Sequence, residues 1–215
     1  MVKKENLCHE IVKLAKLIYE KGLIDAWEGN ISIRNEEKEE FFITPSQNNY
    51  INLTEDKIVH MDLQGRIISK GKKPSSESKM HSLIYRNRIK VHCIIHTHSL
   101  YSTLLSIVHK KIPIIMEEQI ILLGGSIDIS EFKVAHTEEI GNAALIALGN
   151  KNAALLANHG TIVCGKTVEH AIKFAELTEK LAKIYWGALQ IGEPHILLEK
   201  DYKDFIEDFK KNFSS

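Results

Sequence analysis

No sign of charge prevails in this chain. Its 215 residues carry 28 Lys+Arg against 28 Asp+Glu, so no net field draws it to nucleic acid or to an anionic membrane surface. An anionic ligand has to be held by a local site. No apolar run approaches the roughly 18 residues that suggest a membrane span. The opening MVKKENLCHE turns polar at once, without the apolar stretch of a signal peptide. Cysteine is scarce: Cys8, Cys93 and Cys164 are odd in number, far apart and set in apolar surroundings. That excludes a disulfide framework and reads as reduced thiols packed in a core, in a reducing compartment. No repeat, proline-rich linker or low-complexity stretch divides the sequence. The expectation is a cytoplasmic protein with one domain over 1–215, long enough to bury a substantial core.

Histidine is the residue in excess, at 11. His9, His60, His109, His170 and His195 stand beside charged or loop residues and read as solvated. His92, His96, His98, His136 and His159 are the ones to weigh for chemistry.

Leu7, Ile11, Leu14 and Ile18 form one apolar stripe, which predicts an amphipathic helix over 4–21 with Gly22 as its stop. Short strands follow, 30–34 and 40–44 about a charged turn, then 57–62 and 66–69 about Leu-Gln-Gly. Ser75, after Pro74, opens a helix. Residues 91–98 read as a buried strand that turns polar at its end, and a short helix covers 100–108. Thr137 caps a further helix. Strands over 153–157 and 161–164 are separated at Gly160, a long helix runs from Thr167 to Gln190, and a short one covers 201–212. Tight hairpins exclude a wholly parallel sheet. The fold expected is α/β: one three-layer αβα domain with a mixed, largely antiparallel central sheet, its faces covered by helices from both ends of the chain.

The strongest local signal is Ile95-His96-Thr97-His98 at a strand end. Residues two apart on a strand point the same way, so His96 and His98 can offer two imidazoles to one metal ion. Two hydrogen-bonded histidines at a strand end explain an isolated H-x-H equally well. His92 has the same parity but lies deeper, as a core histidine or a partner behind the site. Asn158-His159-Gly160 follows an apolar strand, and the glycine lets the backbone turn and present the imidazole at the sheet rim. With the H-x-H this makes three neutral ligands, the set that leaves zinc one open position and an uncancelled charge. In Lys73-Pro74-Ser75-Ser76-Glu77, hydroxyls and N–H groups at a helix N-terminus form an anion cradle. By itself, Glu77 there reads more readily as an ordinary capping carboxylate, favoured by the helix dipole. Gly29-Asn30 and Thr44-Pro45-Ser46-Gln47 are two more loops with donors and no charge.

In this order and at these separations, G-N, T-P-S, P-S-S-E, H-x-H and N-H-G resemble the class II aldolase/adducin family over about residues 5–200, and within it the L-fuculose-1-phosphate aldolases. The resemblance implies a zinc-dependent aldehyde-lyase, with Mn2+ or Co2+ as alternative ions and one ion per subunit. It assigns the metal to His96, His98 and His159, and to Glu77, which doubles as catalytic acid/base. It places the substrate phosphate on Gly29, Asn30, Ser46, Gln47, Ser75 and Ser76. The implied reaction is retro-aldol cleavage of a ketose 1-phosphate to dihydroxyacetone phosphate and a small aldehyde, through an enediolate. The implied assembly is a homotetramer with the active site near the subunit interface, and its partner is a small phosphorylated sugar, with no nucleic acid and no membrane.

This chain departs from the subgroup where the aldehyde is recognised. Gln47 stands where a glycine is usual, and Glu117 holds the place of a tyrosine that donates a proton across the subunit boundary, which makes Glu117 a candidate second proton donor. An aromatic residue and a glycine are missing near Ala135-His136-Thr137, as is a late tyrosine in 201–215. The rival readings are a sugar-phosphate dehydratase or 4-epimerase of the same family, and a non-catalytic adducin-like scaffold. Retention of all three histidines and Glu77 argues against the scaffold.

Overall fold

The computed structural model describes residues 4–47 and 49–214. Its centre is one seven-stranded sheet in the order β3-β2-β1-β4-β7-β6-β5. The strands are β1 (Asn30–Asn35), β2 (Glu40–Ile43), β3 (Val59–Asp62), β4 (Cys93–Thr97), β5 (Asp128–Ile129), β6 (Ala153–Leu156) and β7 (Gly160–Gly165). All neighbours pair antiparallel except β5 and β6, which are parallel. The sheet is mixed and largely antiparallel, as its hairpins require.

Alternation along the strands builds two cores. Ile31, Ile33, Phe42, Cys93, Ile95 and Val163 face one side. There they meet α1 (Lys4–Glu20), α3 (Leu100–Ile107), α4 (Glu117–Leu123) and the long α6 (Val168–Ile191). Phe41, Ile43, Ile94, Ile162 and Cys164 face the other side, under α2 (Ser78–Asn87) and α5 (Glu138–Leu148). The result is the expected αβα sandwich. A last helix, α7 (Lys203–Asn212), packs on α4 with Phe209 buried, and Phe213 just past its end lies against the first core. Thr137 and Thr167 cap α5 and α6, accepting hydrogen bonds from Ile140 N and His170 N. All three cysteines are buried and free, and burial raises the Cys93 and Cys164 thiols. No described helix is long and apolar enough to cross a membrane.

Several expectations need correction. The segment 66–69 forms no strand, only one bridge, Met61 to Ile67: Asp62 closes the turn by accepting from the N–H groups of Gln64 and Arg66, but beyond it His60 N donates to the Ser69 hydroxyl rather than to a ladder carbonyl. Helix α2 begins at Ser78 rather than Ser75. The loops before it are tied together instead: Ser46 N donates to Lys73 O and Ser75 N to Thr44 O. Two histidines read as solvated are packed. His60 stacks on Phe42 at 4.3 Å and bonds Glu40, and half-buried His170 lies against Phe174. His92 lies beyond the opposite end of β4, 3.1 Å from Glu36, away from the other histidines.

Candidate metal centre and active site

Strand β4 carries His96 toward the α2 side, in the same parity as Ile94, and His98 follows at the same parity just past the strand end. The β6–β7 hairpin brings His159 to meet them. Its turn is made by Asn158, which takes φ 55, and by His159 N donating to Leu156 O at 3.0 Å. Asparagine tolerates that left-handed conformation better than most residues. The three rings meet edge to face, with centroids 4.8–4.9 Å apart.

Glu77 occupies the cap position of α2, yet its side chain makes no capping bond. It turns inward instead. Oε2 accepts from Asn30 Nδ2 at 2.8 Å and lies 2.9 Å from His96 Nε2, and Oε1 lies 3.2 Å from His159 Nε2. That geometry sets the capping alternative aside. Glu77, His96, His98 and His159 each offer one donor atom, all within 4.8 Å of one another.

This set fits a divalent cation. His96 Nδ1 donates to Thr161 O at 2.8 Å, which leaves Nε2 with a bare lone pair. That atom stands 3.0 Å from His98 Nε2, close to the spacing of about 3.3 Å for tetrahedral nitrogens around zinc. Glu77 Oε1 is buried without a well-directed hydrogen bond, although His159 is near. Buried acceptors left this way are costly unless a charge satisfies them.

Electrostatics prepare the donors. Burial, then the charge of His96, pushes His98 down to about 3 and His159 to about 4, so at neutral pH protons do not compete for these rings. Burial alone would raise Glu77, but His96, His159 and the Asn30 amide outweigh it and hold the carboxyl well below its ordinary range. Burial likewise opposes charge on His96, and Glu77 beside it raises that pKa on balance.

Comparison with known proteins shows the family. Residues 9–186 match the model of the Class II Aldolase and Adducin N-terminal domain. The chain belongs to that family. It is 31% identical over 210 residues to a 5-deoxy-D-ribulose 1-phosphate aldolase of Bacillus thuringiensis, covering 98% of this chain and 97% of the relative. It is 35% identical over 204 residues to a 5-methylthioribulose-1-phosphate/5-deoxyribulose-1-phosphate aldolase of Rhodospirillum rubrum, covering 95% and 91%. A solved L-fuculose 1-phosphate aldolase superposes with TM-score 0.91 at 32% identity, covering 95% of this chain and 96% of that one.

In this family member Glu77, His98 and His159 form part of the wall of a cavity of about 420 Å3, with His96 buried behind them. Gly29, Asn30, Ser46, Gln47, Ser75 and Ser76 also line it, with Trp27, Lys73 and His136. Gln47 takes φ 52, so a glycine-like backbone is kept with a side chain added. Gly29 has a second reason to be glycine. It combines φ +69 with a position where a Cβ would lie 2.5 Å from His96 O. Glu117 stands exposed on the first turn of α4 and does not line this cavity.

Two residues were not assigned to the site from sequence. His136 has φ 71, lines the cavity and adds a small repulsion to any charge on His159. Nothing in the sequence motifs singles out His81. It is fully buried, and burial pushes it down to about 3. The available signal was its spacing, four residues after Glu77, which puts both on one helix face.

Proposed function

We propose that this chain is a divalent-metal aldolase that cleaves a ketose 1-phosphate to dihydroxyacetone phosphate and a small aldehyde. The observation that carries the reading is the convergence of three imidazoles and a glutamate that does not cap its helix, at the wall of one cavity lined by two polar proline loops. The assembled cluster speaks against a scaffold that has lost its chemistry. The phosphate esters named for the two curated relatives, which differ only at the tail, support a ketose 1-phosphate with a short tail.

His96, His98 and His159, with Glu77, would hold one ion per chain: Zn2+, or Mn2+ or Co2+ where availability favours them. When bound, such an ion supplies Lewis-acid stabilisation of the negative charge that develops as the carbon–carbon bond beside the ketone breaks. Glu77 is buried and ionised against its imidazole neighbours, and it moves the proton at the three-carbon fragment. The hydroxyls of Ser46, Ser75 and Ser76, the amides of Asn30 and Gln47, the Gly29 turn and the N-terminus of α2 hold the phosphate. Lys73 at the cavity rim adds a cation. Phosphate binding orients the substrate and lowers the entropic part of the barrier. In a cytoplasmic homotetramer of one-domain chains, exposed Glu117 is offered to a neighbour's site rather than its own.

The test is a screen of metal-loaded protein with ketose 1-phosphates of both stereochemistries, 5-deoxyribulose 1-phosphate among them, reading dihydroxyacetone phosphate by coupled reduction. One substrate should be cleaved, with competitive inhibition by inorganic phosphate that weakens in Ser76→Ala. Glu77→Gln should lose at least a hundredfold in kcat. No triose phosphate from any member of the panel would refute the reading.

A further inference from the structure

Strand β1 does not alternate apolar with solvent-facing residues. Ile31 and Ile33 enter one core, while Asn30, Ser32 and Arg34 face the other way, toward α2. Each of the three engages an α2-side residue. Asn30 Nδ2 donates to Glu77 at 2.8 Å, Ser32 Oγ lies 2.6 Å from His81 Nδ1, and the Arg34 guanidinium donates to Tyr85 O and lies 4.9 Å from that ring. Ser32 Oγ also reaches Tyr85 OH at 2.8 Å.

The rungs are two residues apart on the strand and four apart on the helix. These steps are nearly commensurate, roughly 6.6 Å and roughly 6 Å. Strand and helix therefore run together as a polar ladder whose first rung is the Glu77 carboxyl.

The middle rung is unfinished. His81 has 0% exposure, its Nδ1 is committed to Ser32, and its Nε2 has no hydrogen-bond partner among the described residues. A helical Cβ leans toward the helix N-terminus, which directs the His81 side chain back toward the turn that carries Glu77. Glu77 and His96 are the charged neighbours that act on it. A buried ring nitrogen without a partner is rare, and this one has a carboxyl one turn away.

We propose that His81 is a positioning residue for Glu77, anchored by Ser32 and presenting Nε2 to the Glu77 carboxyl. It does not touch substrate and stays neutral. It sets where the carboxyl rests when it acts on a proton. This rests on Glu77 being the acid/base of the proposed aldolase.

The test separates the two ring nitrogens. In His81→Asn the side-chain amide replaces Nδ1 and can keep the Ser32 bond. In His81→Gln it reaches the place of Nε2. Each variant is loaded with Co2+, and its visible absorption, melting temperature, kcat and KM are measured, the last two on the ketose 1-phosphate that the wild type cleaves fastest. His81→Asn should keep most of the melting temperature and KM, yet lose about 10- to 100-fold in kcat and show a shifted cobalt spectrum. His81→Gln should recover part of both. A wild-type cobalt spectrum and kcat in His81→Asn would overturn the proposal, as would losses in both variants that only follow melting temperature. The cobalt arm needs no substrate, so it still decides if no sugar phosphate is cleaved. An active Glu77→Gln enzyme would sink the acid/base reading itself, whatever His81 does.

Discussion

Gly160 is where the proposed metal site and the sheet share a constraint. It opens β7 directly after His159 and pairs with Leu156, in a conformation any residue can adopt. Space is the limit. A Cβ there would lie 2.9 Å from His98 Cδ2 and would overlap Thr97 O more severely. Ordinary contact needs the ring to retreat by about 0.5 Å, and the carbonyl by more, and backbone in a paired strand has little room to give. Gly160→Ala should therefore cost about 1–3 kcal/mol of stability from overpacking. It should also push His98 away from His96 and His159 by about the tolerance within which such a site functions. The expected result is a loss of about 10- to 100-fold in metal affinity, measured by competition with a chromogenic chelator at pH 7. Gly165→Ala is the control. At the far end of the same strand a Cβ would lie 2.5 Å from Ala171 N, away from the histidines. That variant should lose stability without losing metal affinity in the folded fraction. Wild-type affinity in Gly160→Ala, or equal weakening in both, would refute the reasoning.

Other expectations follow from the same geometry. Elemental analysis of purified protein should find about one divalent ion per chain, and His98→Ala should lose most of it while keeping wild-type circular dichroism; equal metal in both would remove His98 from the site. For His81, burial lowers the native pKa from 6.5 to about 3. Between those values the unfolded chain binds a proton that the native chain does not, so stability is whole above pH 6.5 and lost as pH falls toward 3, at up to about 1.4 kcal/mol per pH unit. Urea unfolding of chelator-treated protein at pH 7 and pH 5 should show this slope reduced by about one proton in His81→Asn, and an unchanged slope would contradict it.

The sheet and the convergence of the histidines were legible because both rest on strand parity. His96 and His98 share a face as the period of two demands, and the apolar strand before Asn158 ends where a rim histidine belongs. Elements that owe their form to tertiary packing were not legible. Helix α4 has only seven residues and no side-chain cap, and it is held by Gln119 bonding to Ile112 and Pro113 carbonyls and by the apolar contacts of Leu122 and Leu123. Two-residue β5 exists because β6 offers a parallel edge. The role of Glu77 was ambiguous for a different reason. A glutamate at a helix start fits capping and catalysis equally well until the side chain's direction is known.

His81 shows what a pattern reading discards. Four residues after Glu77, on a helix whose apolar residues Met80 and Ile84 pack in the second core, a histidine looks like a boundary residue. Its meaning appears only when β1 is laid beside it. Asn-x-Ser-x-Arg reads as an ordinary half-exposed strand, with polar residues on what should be the wet side. Here that side is dry: Asn30 is 3% exposed and Ser32 0%. Burying alternate polar residues on a central strand costs free energy unless each finds a partner. The helix supplies partners at the matching interval of four. Two periodicities that a sequence reading treats separately, two for the strand and about four for the helix face, thus interlock, and the interlock ends at the Glu77 carboxyl.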